Sequence, residues 1–276
     1  MMNFWKMHGL GNDFIVVDNR DAKIIDKEAP ALAVKICERR FGIGADGILL
    51  VSNSKTADIS MRTFNADGSE AEMCGNGTRC FAKYCYENGI VTKQAFDIET
   101  KAGVKPVWLT VKNNEVEAVK VDMGSANWNR QSLPMTGQGP CINEPLQVDD
   151  DETYSVTCLS MGNPHCVIFV ENVDETPVTY VGPLIENHEA FPKRTNVEFA
   201  QVINKNELKV RVWERGCGET FACGTGTCAS VAAANKLGKV KEKVIVHLLG
   251  GDLHVEVTKT LLMTGPASKV FEGKLF

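Results

Sequence analysis

The chain repeats itself. Glu70-Ala71-Glu72-Met73-Cys74-Gly75-Asn76-Gly77-Thr78 returns 149 positions later as Glu219-Thr220-Phe221-Ala222-Cys223-Gly224-Thr225-Gly226-Thr227. At that one offset the match runs without a gap from Ile59/Leu208 to Gly89/Gly238, setting Arg62 on Arg211 and Glu70 on Glu219. Each copy reads as a β-rich run (Ile59 to Phe64, Leu208 to Trp213), a polar turn, and a Cys-Gly-x-Gly that opens a helix stopped by Gly89 or Gly238. Gly11-Asn12 before Phe14-Ile15-Val16-Val17 answers Gly162-Asn163 before Cys166-Val167-Ile168-Phe169 at an offset of 151. Asp122-Met123-Gly124-Ser125-Ala126 resembles Met263-Thr264-Gly265-Pro266-Ala267 at 141, the drift that loop insertions produce. Repeats this far apart exclude a solenoid and indicate a tandem duplication into two similar halves.

The rest of the chain fills in what the halves contain. Short apolar or alternating runs recur at Phe14 to Asp18, Ile48 to Val51, Ile59 to Phe64, Val107 to Val111 and Glu117 to Met123. In the second half they recur at Cys166 to Val170, Val197 to Val202, Leu208 to Trp213, Val244 to Leu249 and Leu253 to Val257. Lys112-Asn113-Asn114-Glu115 is expected to be a hairpin turn. Helical windows are fewer: Glu28 to Arg40, Gly75 to Gly89, Val181 to His188 and Gly224 to Gly238. Strand-rich halves with two helices each imply an α+β fold, a mixed sheet around a helix, rather than a doubly wound sheet. The Gly-, Pro-, Asn- and Asp-rich stretch from Asn127 to Asp151 is expected to link the halves. Asp149-Asp150-Asp151-Glu152 within it reads as a solvated turn and not a metal site.

Composition narrows the function classes. A net charge of −5 with scattered basic residues leaves no electrostatic footprint for nucleic acid. No apolar run reaches the length of a membrane span and Met1 to Phe14 has no signal-like core, so a cytoplasmic protein without membrane partners is expected. The ten cysteines include no C-x-x-C, which removes zinc-ribbon and thioredoxin-like spacing, and reduced thiols are expected. Gly42-Ile43-Gly44-Ala45-Asp46-Gly47 fits G-x-G-x-x-G, but it follows a helix end and precedes a strand-like run. A dinucleotide fingerprint needs the reverse context, so this is a turn.

The chemistry is concentrated at the repeat. A helix N-terminus carries unpaired N–H groups and about half a positive charge, which favours a thiolate or a bound carboxylate. Two cysteines at two such ends suit a planar carbanion, one thiol to each face. His165, in Asn163-Pro164-His165 at the entrance to a strand, could take a thiol proton. Glu214-Arg215 stands where the first copy has Asn65-Ala66. An amide in one half and a carboxylate with a guanidinium in the other suit a substrate with one reacting end and one anchored amino acid end.

Taken together, Met7-His8-Gly9-Leu10-Gly11-Asn12-Asp13-Phe14, Phe64 to Glu70, Met73 to Cys80, Met161 to Cys166 and Glu214 to Gly226 resemble diaminopimelate epimerase over the whole chain and in order. The resemblance implies a cofactor-independent, pyridoxal-free isomerase that interconverts LL- and meso-2,6-diaminopimelate on the route to lysine and peptidoglycan, as a homodimer. It implies two pseudo-symmetric halves, over 1–118 completed by 265–276 and over 119–264, with the active site in the cleft between them. By motif position Cys74 and Cys223 are the acid/base pair, with His165 and Glu214 adjusting their protonation. Gly75, Asn76, Gly224 and Thr225 would hold the reacting carboxylate. Asn12, Asn65, Asn163, Asn196, Glu214 and Arg215 would hold the remaining amino and carboxylate groups. Some relatives carry Gln where Gly47 stands, Thr225 replaces a Ser, and Cys217 adds a third thiol nearby. Two other classes were weighed. Proline racemases share the two-cysteine plan, but typically read Met-Cys-Gly-His-Gly where this chain has Asn76. A non-catalytic redox or metal-binding protein lacks supporting cysteine spacing.

Overall fold

The computed structural model describes residues 2–149 and 152–275. In chain order its first elements are β1 (Met2–Gly9), β2 (Asn12–Asp18), α1 (Ala29–Cys37), β3 (Gly47–Ser52), β4 (Ile59–Asn65), β5 (Glu70–Ala71), α2 (Gly75–Glu87), β6 (Ala95–Thr100), β7 (Gly103–Lys112) and β8 (Glu115–Asp122). After a 3-10 turn at Arg130–Ser132 come β9 (Glu144–Gln147), β10 (Thr153–Ser160), β11 (Pro164–Phe169), α3 (Val178–Glu186), β12 (Asn196–Asn204), β13 (Glu207–Glu214) and β14 (Gly218–Thr220). The chain closes with α4 (Gly224–Lys236), β15 (Lys243–Leu248), β16 (Gly251–Val257), β17 (Leu261–Gly265) and β18 (Ser268–Leu275). Strands far outnumber helices, and the fold is α+β.

Contacts divide the chain into two compact units, Met1–Asp122 with Thr264–Phe276, and Met123–Met263. In unit 1, β1 turns through Leu10 and Gly11, both at positive φ, into antiparallel β2. Strand β2 runs parallel to β3, β3 antiparallel to β4, β4 parallel to β6, and β6, β7 and β8 form an antiparallel meander. The late strand β18 pairs with the other edge of β1. Unit 2 repeats the scheme. Antiparallel β10 and β11 lead to β12 parallel to β11, then β13 antiparallel, β15 parallel to β13, and β16 antiparallel.

Each unit encloses one helix. In α2 every residue from Gly75 to Ala82 is buried, and in α4 the buried run from Gly226 to Ala234 is composed of small residues that let strands approach closely. A helix buried on all sides belongs in a core. Both helices end alike. Gly89 and Gly238 adopt φ of 65° and 66°, while Ile90 and Lys239 donate N–H to the carbonyls of Cys85 and Ala234. This paired motif needs the left-handed residue that glycine supplies.

Several sequence expectations are corrected. The helix expected to Arg40 ends at Cys37, and the one expected from Val181 begins at Val178 behind Pro177. The stretch from Asn127 is no linker: within unit 2 it buries Leu133, Cys141 and Leu146 in the core around α3 and contributes β9. In the acidic run Glu152 donates its N–H to Asp149, while 150 and 151 lie outside the described residues. Strand β10 was not read from sequence. The hairpin at Asn113-Asn114 is present, both residues at positive φ as a two-residue turn of this hand requires.

Candidate functional site

In both units the repeated cysteine is the N-cap of the enclosed helix. Cys74 and Cys223 have extended backbone, and their sulfurs accept N–H from Gly77 and Gly226, each at 3.4 Å. Their carbonyls accept the hydroxyls of Thr78 and Thr227 at 2.8 and 2.7 Å. The Cys-Gly-x-Gly-Thr pattern is thus a capping device that puts a sulfur at the positive end of a helix.

In unit 1, Asn12 stands at the start of β2 with its Oδ1 facing Cys74 Sγ at 3.6 Å and accepting Asn76 Nδ2–H at 3.2 Å. The amide orientations are set by groups that can act in only one sense. Asp46 accepts Asn12 Nδ2–H at 2.7 Å, and the wholly buried Arg79 donates to Asn76 Oδ1 at 2.9 Å. Asp46 in turn takes Arg39 at 2.8 Å, and Asp13 takes Arg39 and Lys6. Burial pushes the Asp13 carboxyl up, but the Arg39 and Lys6 cations outweigh it and hold it at about 2. Asn65 is exposed at the end of β4, its Nδ2 donating to Ser69 Oγ at 2.9 Å. Gly47 pairs with Phe14 and Asn65, and a Cβ there would stand 2.5 Å from the Phe64 carbonyl oxygen.

In unit 2, Cys223 is more enclosed. Its Sγ lies 3.5 Å from Thr225 Oγ1, which accepts Asn163 Nδ2–H at 3.2 Å. Asn163 Oδ1 faces His165 Nε2 at 3.0 Å, and His165 Nδ1 lies 2.7 Å from Glu198 Oε1. His165 therefore reaches Cys223 through Asn163 and Thr225 rather than by direct contact. Burial, together with the negative charges of Glu214 and Glu198, pushes the Cys223 thiol well above its ordinary value. Burial also raises the Glu214 carboxyl, against hydrogen bonds from Thr220, at 2.6 Å, and from Cys223. Glu214 thus accepts from Cys223 at a place where burial disfavours negative charge on either group.

Asn196 shares this surround. Its Nδ2 donates to the Pro164 carbonyl at 2.7 Å and its Oδ1 accepts the Arg215 N–H at 2.9 Å, so Asn196 fixes the backbone that presents Arg215. The Arg215 guanidinium is exposed and donates to the Lys193 carbonyl at 3.2 Å. Cys217 is exposed. By register Asn196 sits opposite His165 as Gly47 sits opposite Phe14, so the amide of one unit has a glycine for its counterpart in the other.

Three members of these clusters escaped sequence reading: Asp46, Arg79 and Glu198. Asp46 lay inside a glycine-rich turn and Arg79 inside a helix. Glu198 lay in an apolar strand run, where comparison of Ile48-Leu49-Leu50 with Val197-Glu198-Phe199 at the repeat offset would have exposed it. Among the described residues, no group of three or more His, Cys, Asp or Glu is placed to hold a metal ion, and no helix is long and apolar enough to cross a membrane.

Comparison with known proteins matches residues 4–129 and 157–270 to the family model of diaminopimelate epimerase. A diaminopimelate epimerase of Moorella thermoacetica is 52% identical over 276 residues, covering 99% of this chain and 98% of the relative. Two solved structures share the fold at low identity. A hydroxyproline epimerase from Agrobacterium vitis has a TM-score of 0.74 at 14% identity, covering 99% of this chain and 91% of its own. A Bacillus anthracis phenazine biosynthesis protein of the PhzF family has a TM-score of 0.73 at 20% identity, covering 100% and 99%.

Proposed function

Because the chain belongs to the diaminopimelate epimerase family, we propose that it interconverts LL- and meso-2,6-diaminopimelate by passing the α-hydrogen between two cysteines without a pyridoxal group. The observation that carries this reading is that each unit places one cysteine sulfur on the first turn of its enclosed helix, 3.4 Å from a glycine N–H.

An amino acid α-hydrogen is a very weak acid, so charge developing on the carboxylate must be met by fixed donors in a dry site. The opening turns of α2 and α4, at Gly75-Asn76 and Gly224-Thr225, are such donors. One cysteine takes the hydrogen as thiolate and the other returns one to the opposite face as thiol, and the roles exchange with substrate configuration. Glu214, which accepts from Cys223, adjusts its protonation, and His165 acts on Cys223 through Asn163 and Thr225. Asn12, Asn65, Asn163, Asn196, Glu214 and Arg215 hold the amino and distal carboxylate groups, Arg215 as the fork for a carboxylate. Family membership supports a homodimer working in the cytoplasm on the path to lysine.

The test is chiral separation of diaminopimelate isomers after incubating either pure isomer with the purified protein, with no pyridoxal phosphate added. Formation of the other isomer from each is expected. No conversion from either isomer by folded protein contradicts the proposal.

A further inference from the structure

The shared pairing scheme allows equivalent positions to be read across the units by register. In unit 1, Leu49 lies opposite Val16, and a Cβ on Gly77 in the first turn of α2 would meet Leu49 Cδ2 at 3.2 Å and Phe14 Cζ at 3.5 Å. In unit 2, Glu198 lies opposite Val167, and a Cβ on Gly226 in the first turn of α4 would meet Glu198 Oε1 at 2.7 Å. His165 follows Asn163 by two residues as Phe14 follows Asn12. Phe14 and Leu49 thus lie beneath the Cys74 helix turn where His165 and Glu198 lie beneath that of Cys223. The fold accepts the apolar pair, and a wholly buried ionic pair commonly costs stability relative to packed apolar side chains. Its presence needs a chemical reason.

We propose that Glu198 is a positioning residue for Cys223, acting through His165 to set the direction of a hydrogen-bond chain that ends on the sulfur. The inference rests on Cys223 being one of the two reacting thiols. Glu198 and His165 are both 0% exposed, and Glu198 Oε2 has no hydrogen-bond partner among the described residues. Glu198 Oε1 and His165 Nδ1 share one hydrogen across 2.7 Å, which ties the ring to the carboxyl group. Asn163 turns Nδ2–H to Thr225, so its Oδ1 faces His165 Nε2 at 3.0 Å. An amide oxygen only accepts, so Nε2 carries hydrogen. Thr225, accepting from Asn163, directs its hydroxyl hydrogen to Cys223 Sγ at 3.5 Å. The donors of this chain point toward the sulfur, against burial and the Glu214 carboxyl that accepts from it.

Unit 1 is arranged in the opposite sense. Asp46 takes the Asn12 Nδ2–H, leaving Oδ1 toward Cys74 Sγ, which must then donate as a thiol. Two homologous asparagines, oppositely turned, make the surroundings of the two sulfurs inequivalent.

The titratable groups facing this chain are His165 on β11, Glu198 on β12, Glu214 on β13 and Cys223 at the head of α4. As a bare negative charge Glu198 would oppose the thiolate. As the group that fixes the His165 ring and the direction of the chain it favours it. The two roles have opposite signs, so one experiment separates them. The parent, Glu198→Gln and Glu198→Leu are alkylated with iodoacetamide between about pH 6 and about pH 9 and read peptide by peptide by mass spectrometry. Without the Glu198 carboxyl the ring is no longer held with Nε2–H toward Asn163; Nε2 turns acceptor, Asn163 turns over and the Thr225 hydroxyl leaves the sulfur. Cys223 alkylation near neutral pH falls about tenfold in both variants, the effect of about one pKa unit, while that of Cys74 changes less than about twofold. If a single variant does not fold, His165→Phe with Glu198→Leu copies the Phe14 and Leu49 pair and carries the same expectation. Faster alkylation of Cys223, an unchanged rate, or equal slowing of both thiols in folded protein overturns the proposal. The alkylation readout does not depend on turnover, so failure of the epimerase reading shows separately in the isomer assay.

Discussion

A Cβ added to Gly226 would stand 2.7 Å from Glu198 Oε1, whereas its counterpart on Gly77 would meet the end of Leu49 at 3.2 Å, with Cys74 Cβ and Phe14 Cζ at 3.5 Å. Alanine ordinarily stabilises a helix by about 1 kcal/mol relative to glycine. The Leu49 side chain can shift, but the Glu198 carboxylate is held by His165. Gly77→Ala is therefore expected to leave the thermal midpoint unchanged or slightly raised, while Gly226→Ala lowers stability by about 1–3 kcal/mol through overpacking. Equal effects in calorimetry would show that Glu198 is not held as described.

Acid sensitivity follows from Asp13. Its carboxyl sits at about 2 in the folded protein against a usual 3.8, so its contribution is present above pH 3.8 and is lost as pH falls toward 2. The shift corresponds to about 2 kcal/mol. Asp13→Asn should be less stable than the parent at neutral pH, with the difference closing at about pH 2. A constant gap across that window, measured by denaturant titration, would assign the loss to packing instead.

Asp46 turns the Asn12 amide. Removing its charge in Asp46→Asn weakens a charged hydrogen bond of about 1.5–3 kcal/mol and frees Asn12 to reverse. Epimerisation is expected to fall at least about tenfold with a cooperative melt retained. Full activity in the folded variant would remove Asp46 from the positioning of Asn12.

Much of this was legible before any coordinates. The repeat exposed Cys74 and Cys223 as helix caps because capping, the Gly-x-Gly opening and the glycine stop are all local chemistry. Apolar or alternating runs marked β2, β3, β4, β7, β8, β11, β12, β13, β15 and β16, whereas β1, β6, β9, β17 and β18 were not read. Strand β10 was missed because its first residues, Thr153, Tyr154 and Ser155, are polar or exposed while the rest is buried on both faces. The stretch after Asn127 has the composition of a link but buries Leu133, Cys141 and Leu146, which only tertiary packing decides. Asp46, Arg79 and Glu198 act at a distance in sequence from the groups they orient, and no local pattern marks such partners.

The two-thiol account is tested most directly by the source of the hydrogen. Parent, Cys74→Ala and Cys223→Ala are incubated with LL- and with meso-diaminopimelate in heavy water, and isomers and deuterium at the α-carbon are read by chromatography and mass spectrometry. The parent should form the opposite isomer carrying solvent deuterium, and each variant, folded, should lose epimerisation by about 10²–10⁴-fold. Full epimerisation by either variant, or product free of solvent deuterium, would contradict it.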